Sequence, residues 1–564
     1  MKRILLFTVF WFAINLIQSY FTEIIDDEAY YWVYSKFLDW GYFDHPPMIA
    51  MLIRLGSSLL PGAIGVRLIT SLMGAGSLFL VFLILRKEVR DLRILMLICF
   101  SIPLLHFHVA GFIATPDLPL VFTSTLFFFF YRRYLEKETP LLILLLSLSI
   151  ALMLYSKYHA FLIILFTILS NPRILYRRSF WLIVTGSTIL YLPHIFWQFN
   201  HDFVPFSYHL IDRNNPFQAK YLLEYLVNQF LLLGPFCGIV LFYLGVTRKT
   251  SDHFNRALRF NVIGFFLFFL VSSLRGHVEP HWTAAAFIPL ILLTVPLIEK
   301  NLTSTKWMYI LGFLSIPFVI FAKISLMVEL EPFPEKLSQR FHHKEEFYQQ
   351  IHTEAKGRPV VFSNSYQKAS LYWFFTGEPA FSQNNKHYRK NQFDLLHLES
   401  DLQGEDVLCF PAVGFPGCDT LETIFGTLEI HNTHYFCQFN RIKISLPDMA
   451  WEFRTGEKVQ VNLELENPTQ STICFSDSCT HKPQLIYSYF SENGDHKAYF
   501  ARYTGPLPDL APGDCVVFPV EMSAPEAPGK YQLMFSFGAG NIPAGINGRP
   551  VKMTVRSRSS KNSV

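Results

Sequence analysis

The stretch Asp26-Asp27-Glu28-Ala29-Tyr30-Tyr31-Trp32, with Tyr42-Phe43-Asp44-His45-Pro46-Pro47 shortly after it, decides how the chain is read. It follows directly on an apolar segment, Ile4 to Phe21, that suits a first membrane span. Acidic, aromatic and imidazole groups are thereby gathered where hydrocarbon gives way to water. Ionisable groups at that depth are costly to keep and are functional candidates by default. Lys2-Arg3 and the apolar segment have the outline of a signal peptide. The apolar stretch is long, however, no small-x-small cleavage site follows, and the acidic triplet lies right behind it, so the reading is an uncleaved anchor.

The composition agrees. The 564 residues are 51% hydrophobic and 16% aromatic but only 16% charged, against roughly 25% charged in an ordinary globular protein. A net charge of +4, scattered and without a basic arm or a recognition motif, argues against nucleic acid as a partner. The apolar runs predict a mainly α, polytopic membrane protein with about eleven spans. They lie near 4–22, 66–85, 93–112, 116–131, 140–156, 159–171, 180–197, 222–246, 259–275, 282–298 and 306–323. Lys and Arg concentrate in alternate connections, among them Arg86-Lys87, Arg132-Arg133, Arg177-Arg178 and Arg248-Lys249, which marks those as cytoplasmic. The cation-poor connections then face out, and an odd number of spans places everything from Ile324 outside as well.

That sorting puts Asp27, Asp44, His45, Asp117, Lys157, His159, Arg275, Glu279 and His281 on one side. In the first outer connection, Ala29 to Tyr34 and Met48 to Ile53 suit amphipathic helices at the interface, with Pro47 at the start of the second. Such a segment would hold Asp27, Asp44 and His45 over a cavity at headgroup level. Each feature also has a plain structural reading: acids at a helix start, an interfacial aromatic belt, a snorkelling lysine, a satisfied loop network. Taken together on one face, they fit the transfer of a sugar from a polyprenyl phosphate. That reaction needs a carboxylate to activate the acceptor and cations to hold the leaving phosphate. Asp27 is the candidate base and Asp117 the runner-up, with Glu28 completing the catalytic set. His45, Lys157, Arg275, Tyr31 and Asp44 are candidates for the donor and its phosphate. Tyr30, Glu279, His281 and Trp282 are candidates for the acceptor side or for supporting positions. The acids with His could instead hold a divalent metal, although no spacing specifies one. The His-Glu-x-x-His, P-loop and Gly-x-Ser-x-Gly signatures are absent. The alternative is a transporter or flippase of lipid-linked glycans, against which stand the lack of an internal repeat and the gathering of charge at one face.

These residues resemble the membrane glycosyltransferases with the GT-C fold. The nearest branch holds the bacterial relatives of dolichyl-phosphate-mannose protein mannosyltransferases and of the lipid A aminoarabinose transferase. The matching elements are Asp-Glu-x-x-Tyr (Asp27, Glu28, Tyr31), Tyr-Phe-acid-x-Pro-Pro (Tyr42, Phe43, Asp44, Pro46, Pro47), Thr-x-Asp-x-Pro (Thr115, Asp117, Pro119), Ser-Lys (Ser156, Lys157) and Glu-Pro-x-Trp (Glu279, Pro280, Trp282). The resemblance implies a catalytic Asp27, a polyprenyl-phosphate sugar as donor, and an envelope glycan, lipid or protein as acceptor. It implies a place in a bacterial inner membrane with the C-terminal domains on the periplasmic side. The aminoarabinose branch has Arg where this chain has Tyr30 and Lys where it has His45. Both departures point to the broader mannosyltransferase-like branch.

The predicted domains are a transmembrane catalytic domain over 1–323, an outer α/β domain over 324–439 and an Ig-like β-sandwich over 440–564. Pro359 to Phe362 and Asp406 to Phe410 read as strands and Gln367 to Phe375 as a helix closed by Gly377. Alternating runs at Lys458–Leu465, Gln484–Tyr489, Cys515–Val520 and Tyr531–Phe537 read as sandwich strands, with turn signals at Asn493-Gly494, Pro512-Gly513 and Pro528-Gly529. Cys409–Cys418 and Cys474–Cys479 could close small loops, with Cys437 and Cys515 free or paired with each other.

Overall fold

The computed structural model describes every residue except 209–216, 235, 251, 331–334, 387, 397, 412–417, 470–471, 476–482, 492–495, 504–505, 540–541 and 558–564. It divides into two compact units, Met1–Lys344 and Glu345–Val564.

The first unit is helical. Helix α1 (Lys2–Phe21) buries Asn15, Gln18 and Ser19 beside Ile4, Phe7 and Trp11, while Leu5, Leu6, Val9, Phe10, Ile17 and Phe21 are exposed. A helix in water does the reverse. Polar groups turned inward to partners and apolar groups turned outward are what hydrocarbon solvent demands. Among the described residues six helices are long and apolar enough to cross a membrane: α1, Gly62–Leu85, Arg178–Asn200, His253–Ser272, Pro280–Glu299 and Leu302–Met327. Ala219–Leu233 and Cys237–Thr247 would make a seventh span, bent by 106°. Gly234 lies at the break with φ +85°, in the region open to glycine. The chain is a multi-pass membrane protein.

The other expected spans take shorter forms. Leu92–Ser101, Pro140–Ser156 and Ala160–Ser170 are apolar but shorter helices. The first stops before Pro103, whose ring disfavours helix at the preceding residue, and gives way to a single wide turn at Leu105–Val109. The expected span at 116–131 folds as Asp117–Glu136 and ends in the charged group Arg132, Arg133 and Glu136.

Between α1 and the next span lie the two expected short helices, α2 (Asp26–Lys36) and α3 (Met48–Leu59), with Pro47 as the residue before α3. Helix α3 buries Ile49, Ala50, Ile53 and Gly56 and exposes the apolar Met51, Leu55 and Leu59. Its partner is α4 (Gly62–Leu85), and the approach is close: a Cβ on Gly56 would stand 2.2 Å from the carbonyl oxygen of Gly65. Small residues at this contact let the two backbones meet and fix where α2 and α3 sit against the bundle.

The second unit opens with a five-stranded sheet in the order β2-β1-β3-β5-β4. Its strands are β1 (Val360–Ser363), β2 (Ala380–Gln383), β3 (Val407–Phe410), β4 (Asp419–Thr423) and β5 (Gly426–Thr433). β1 pairs in parallel with β2 and β3, and the crossover helix Tyr366–Thr376 ends at Gly377 with φ +80°, as a helix C-terminus requires. The rest is two further sheets. One runs β10-β9-β12-β13-β7 and the other β11-β8-β6, where β6 is Lys443–Ser445, β7 Glu452–Arg454, β8 Lys458–Glu466, β9 Pro483–Ser491, β10 His496–Phe500, β11 Cys515–Ser523, β12 Gly529–Ala539 and β13 Val551–Arg556. Alternate residues of β8 (Val461, Leu463, Leu465) and of β9 and β12 (Leu485, Tyr487, Leu533, Phe535) meet in one core. The sequence turn at Asn493-Gly494 lies outside the described residues.

The cysteine expectation needs correction. Cys437 is disulfide-bonded. Cys409 is a buried thiol that accepts a hydrogen bond from Thr433 Oγ1, so it does not close a loop with Cys418. Cys474 and Cys515 are exposed free thiols, which removes the Cys474–Cys479 and Cys437–Cys515 pairings. β3 binds Cys409 into the sheet centre and β11 turns Cys515 outward, so local spacing misleads.

Candidate active site

Helix α2 begins at Asp26 because Ile25, in extended conformation, donates its N–H to Glu28 Oε2 at 3.1 Å and closes the first turn. Three acids in that turn are favoured by the helix dipole. Asp27 is half-buried and forms no ion pair among the described residues. Burial, reinforced by the nearby carboxylates of Asp26, Glu279 and Asp44, pushes its carboxyl up to about 6, with Arg340 opposing. The fold thus brings Asp27, Asp44 and Glu279 together from three separate segments.

Asp44 and His45 rest on aromatic side chains from α2. Tyr34 donates its hydroxyl to Asp44 Oδ1 at 2.5 Å, and the Tyr31 hydroxyl meets His45 Nε2 at 3.1 Å. Tyr34 is itself stacked on Tyr42 with ring centroids 4.3 Å apart. Tyr30 is buried edge-on against Tyr34 and supports this nest from behind.

A second cluster forms around Asp117, the first residue of its helix. Lys157, in the turn after Pro140–Ser156, donates to both Asp117 oxygens at 2.8 Å, and both side chains are buried. His281 Nε2 stands 3.5 Å from Asp117 Oδ2, and the His281 ring is stacked on His108 at 5.0 Å. Trp282 packs on Phe269 and on His159. Lys157 is therefore matched charge for charge by Asp117, and Asp117 is not a free base.

Two expectations are corrected by the packing. Glu28 is fully buried and bound by Arg67, with Arg67 Nε to Oε1 at 2.7 Å and Nη2 to Oε2 at 2.5 Å. It also accepts the Ala114 N–H at 2.7 Å. A carboxylate so fully occupied has no lone pair open to an acceptor hydroxyl. Arg275 is exposed and shares no side-chain hydrogen bond or ion pair among the described residues, so it stands outside both clusters. The neighbouring His277 instead lies 3.3 Å from Glu224 and 3.7 Å from Glu279.

Sequence reading missed Arg67, His108 and Lys344. Arg67 sits near the start of an apolar span, where an arginine needs an acidic partner. His108 precedes the Thr115-Pro116-Asp117 motif within the same connection. Lys344 donates to the Ile24 carbonyl at 2.6 Å and stands 3.9 Å from Asp26. Burial lowers its ammonium to about 8. No signal in the sequence linked it to residues so far upstream. Among the described residues no three or more of His, Cys, Asp and Glu are grouped to hold a metal ion.

Residues 44–197 match the profile of the family described as dolichyl-phosphate-mannose-protein mannosyltransferase. That segment holds Asp44, His45, Asp117 and Lys157. Among solved structures, ArnT from Cupriavidus metallidurans in the apo state aligns with a TM-score of 0.54 at 12% identity, over 76% of this chain and 97% of ArnT. ArnT from the same organism bound to undecaprenyl phosphate aligns with a TM-score of 0.54 at 13% identity, over 76% and 98%. The chain has the GT-C fold. The arabinosyltransferase EmbB from Mycobacterium smegmatis aligns at 11% identity over 96% of this chain and 64% of EmbB, with a TM-score of 0.35, too low to add weight. No curated protein sequence matches the chain. The expectation of a GT-C membrane fold, drawn from five short motifs, is met.

Proposed function

We infer that the protein is a glycosyltransferase that moves a sugar from a polyprenyl-phosphate donor to an envelope acceptor at the periplasmic face of a bacterial inner membrane. The observation that carries this reading is Asp27: a carboxyl held near 6, ionised at neutral pH, without a counter-ion among the described residues, at the end of the first span. A general base is most effective when its pKa lies near the working pH. Asp27 takes the proton of the acceptor hydroxyl, or of an amine. The acceptor atom attacks the anomeric carbon, and the bond from that carbon to the phosphate oxygen breaks with its electron pair leaving on the phosphate. The products are the glycosylated acceptor and the polyprenyl phosphate.

The donor class is supported by the shared fold with ArnT, which binds undecaprenyl phosphate, and by the mannosyltransferase family match. Asp44, held by Tyr34, is among the carboxylates that act on Asp27, and the sugar and its phosphate are assigned to the side formed by it and by His45 with Tyr31. His281, His159 and Trp282 line the neighbouring cluster and suit the acceptor side. The outer orientation rests on the alternation of Lys and Arg between spans. The reading is tested by transfer of a labelled sugar from polyprenyl phosphate in membranes. Asp27→Asn should lower the initial rate by about 10²-fold or more, with the purified variant still monodisperse in detergent. Normal transfer by that variant overturns the assignment.

A further inference from the structure

Arg67 spends every donor it has. Besides its two bonds to Glu28, Nη1 donates to the carbonyls of Thr22 at 2.7 Å and Ser19 at 3.3 Å, and Nη2 to the carbonyl of Glu23 at 3.0 Å. Glu28 in turn collects the N–H groups of Ile25 and Ala114. The pair is buried at 0% side-chain exposure on both sides. It therefore joins four segments at one point: the last turn of α1, the first turn of α2, the start of α4, and the loop that leads through Thr115 into Asp117.

We propose that the Arg67–Glu28 pair is a positioning device that sets the distance between the two motifs bearing Asp27 and Asp117. It rests on Asp27 acting as the base. The argument is one of reach. Asp27 is the residue before Glu28, and Ala114 is three residues before Asp117. With one carboxylate bridging both backbones, neither motif can shift without breaking a buried charged hydrogen bond. The planar guanidinium fork gives direction as well as attraction, which a lysine at the same place cannot. Among the described residues Asp27 has no ion pair, and the ion-pair partner of Lys157 is Asp117.

The test uses the full chain in nanodiscs with a polyprenyl-phosphate donor. Glu28→Gln keeps the side-chain shape but turns an amide N–H toward donors. Arg67→Lys keeps the charge but loses the fork. Both should lower kcat by about 10- to 100-fold with donor KM within about 3-fold, since a displacement near 1 Å costs about 10²-fold in rate. The acid limb of the pH–rate profile should move toward the ordinary carboxylate range, because a displaced Asp27 gains solvent and parts from Glu279 and Asp44. A role in folding alone would reduce the yield of folded protein without moving that limb. Wild-type kcat and limb in both variants, with Asp27→Asn inactive, overturn the positioning role and spare the base. Full activity of Asp27→Asn defeats the base reading whatever the pair does. Failure of both variants to insert and fold makes the pair a folding determinant and also overturns the proposal.

Discussion

Asp27 and Asp117 each stand in the first turn of a helix, each just after a span or a buried loop, and each within a short acidic motif. Their surroundings differ completely. Asp117 is enclosed and clasped by Lys157 on both oxygens. Asp27 lies near the carboxylates of Asp26, Glu279 and Asp44 and forms no ion pair among the described residues, with Arg340 opposing them from farther off. The first arrangement serves the bundle, because a buried pair with two short hydrogen bonds fixes two helices. The second keeps a carboxylate reactive, because burial first, and then repulsion from its neighbours, makes a proton welcome. Glu28, adjacent to Asp27 in sequence, falls on Asp117's side of this divide through Arg67. What separates a base from a strut is the partner, and the partner comes from a distant segment in both structural cases.

The contrast can be broken most forcefully at Lys157. Lys157→Met leaves Asp117 buried without its cation, and removing one member of a buried pair typically costs about 3–5 kcal/mol. Thermal unfolding of the purified protein should show a loss of that order. Asp27→Asn removes a carboxyl whose charged form is disfavoured in the folded state, so at neutral pH it should leave stability unchanged or higher. Equal losses for the two variants would mean that Asp27 is also a structural residue.

A pH profile sharpens the same contrast. The proton-accepting form of Asp27 is the carboxylate, so kcat/KM should rise about tenfold per unit at low pH and level off above about 6. Folding is linked with the opposite sign. The folded-state value of about 6 exceeds the ordinary 3.8, so the native state holds this proton more tightly than the unfolded chain. The stability contributed by Asp27 is fully present below about 3.8 and is lost as the pH rises through about 6. Asp27→Asn should abolish both dependences. Asp26→Asn is the finer probe: it removes one of the charges that raise Asp27 and should lower the activity limb by less than about one pH unit. A limb that stays in place under Asp26→Asn would detach it from Asp27.

The amino-acid sequence carried much of this architecture because the signals were local. Pro47 ahead of α3, Gly377 behind its helix, and the strands at Val360–Ser363 and Lys458–Glu466 all follow from short-range periodicity and turn chemistry. The motifs around Asp27, Asp44, Asp117 and Lys157 were visible for the same reason. What stayed hidden was pairing across the bundle. Nothing in Asp27-Glu28 says which of two adjacent acids will meet Arg67, although alternation on a helix gives adjacent residues different faces. Arg67 itself was readable in principle, since an arginine near the start of a span rarely lacks an acid. Span lengths were hidden for a related reason: apolar runs such as 93–112 meet a proline and fold as shorter pieces, which composition alone does not register.

The cysteines of the second unit give the smallest effect and the sharpest check on local reasoning. Spacing suggested that Cys474 would close a small loop and that Cys515 would be free or would pair with Cys437. In the structure both are exposed free thiols, while Cys437 is buried in the sandwich core and disulfide-bonded. An exposed thiol contributes little packing, so Cys474→Ser and Cys515→Ser should each change stability by no more than about 0.5 kcal/mol. A disulfide lost by either substitution would instead cost about 2–4 kcal/mol. Thermal unfolding under non-reducing conditions separates the two ranges clearly. A loss of the larger size at either position would return that cysteine to a bridge and make sequence spacing, rather than strand orientation, the better guide to this part of the chain.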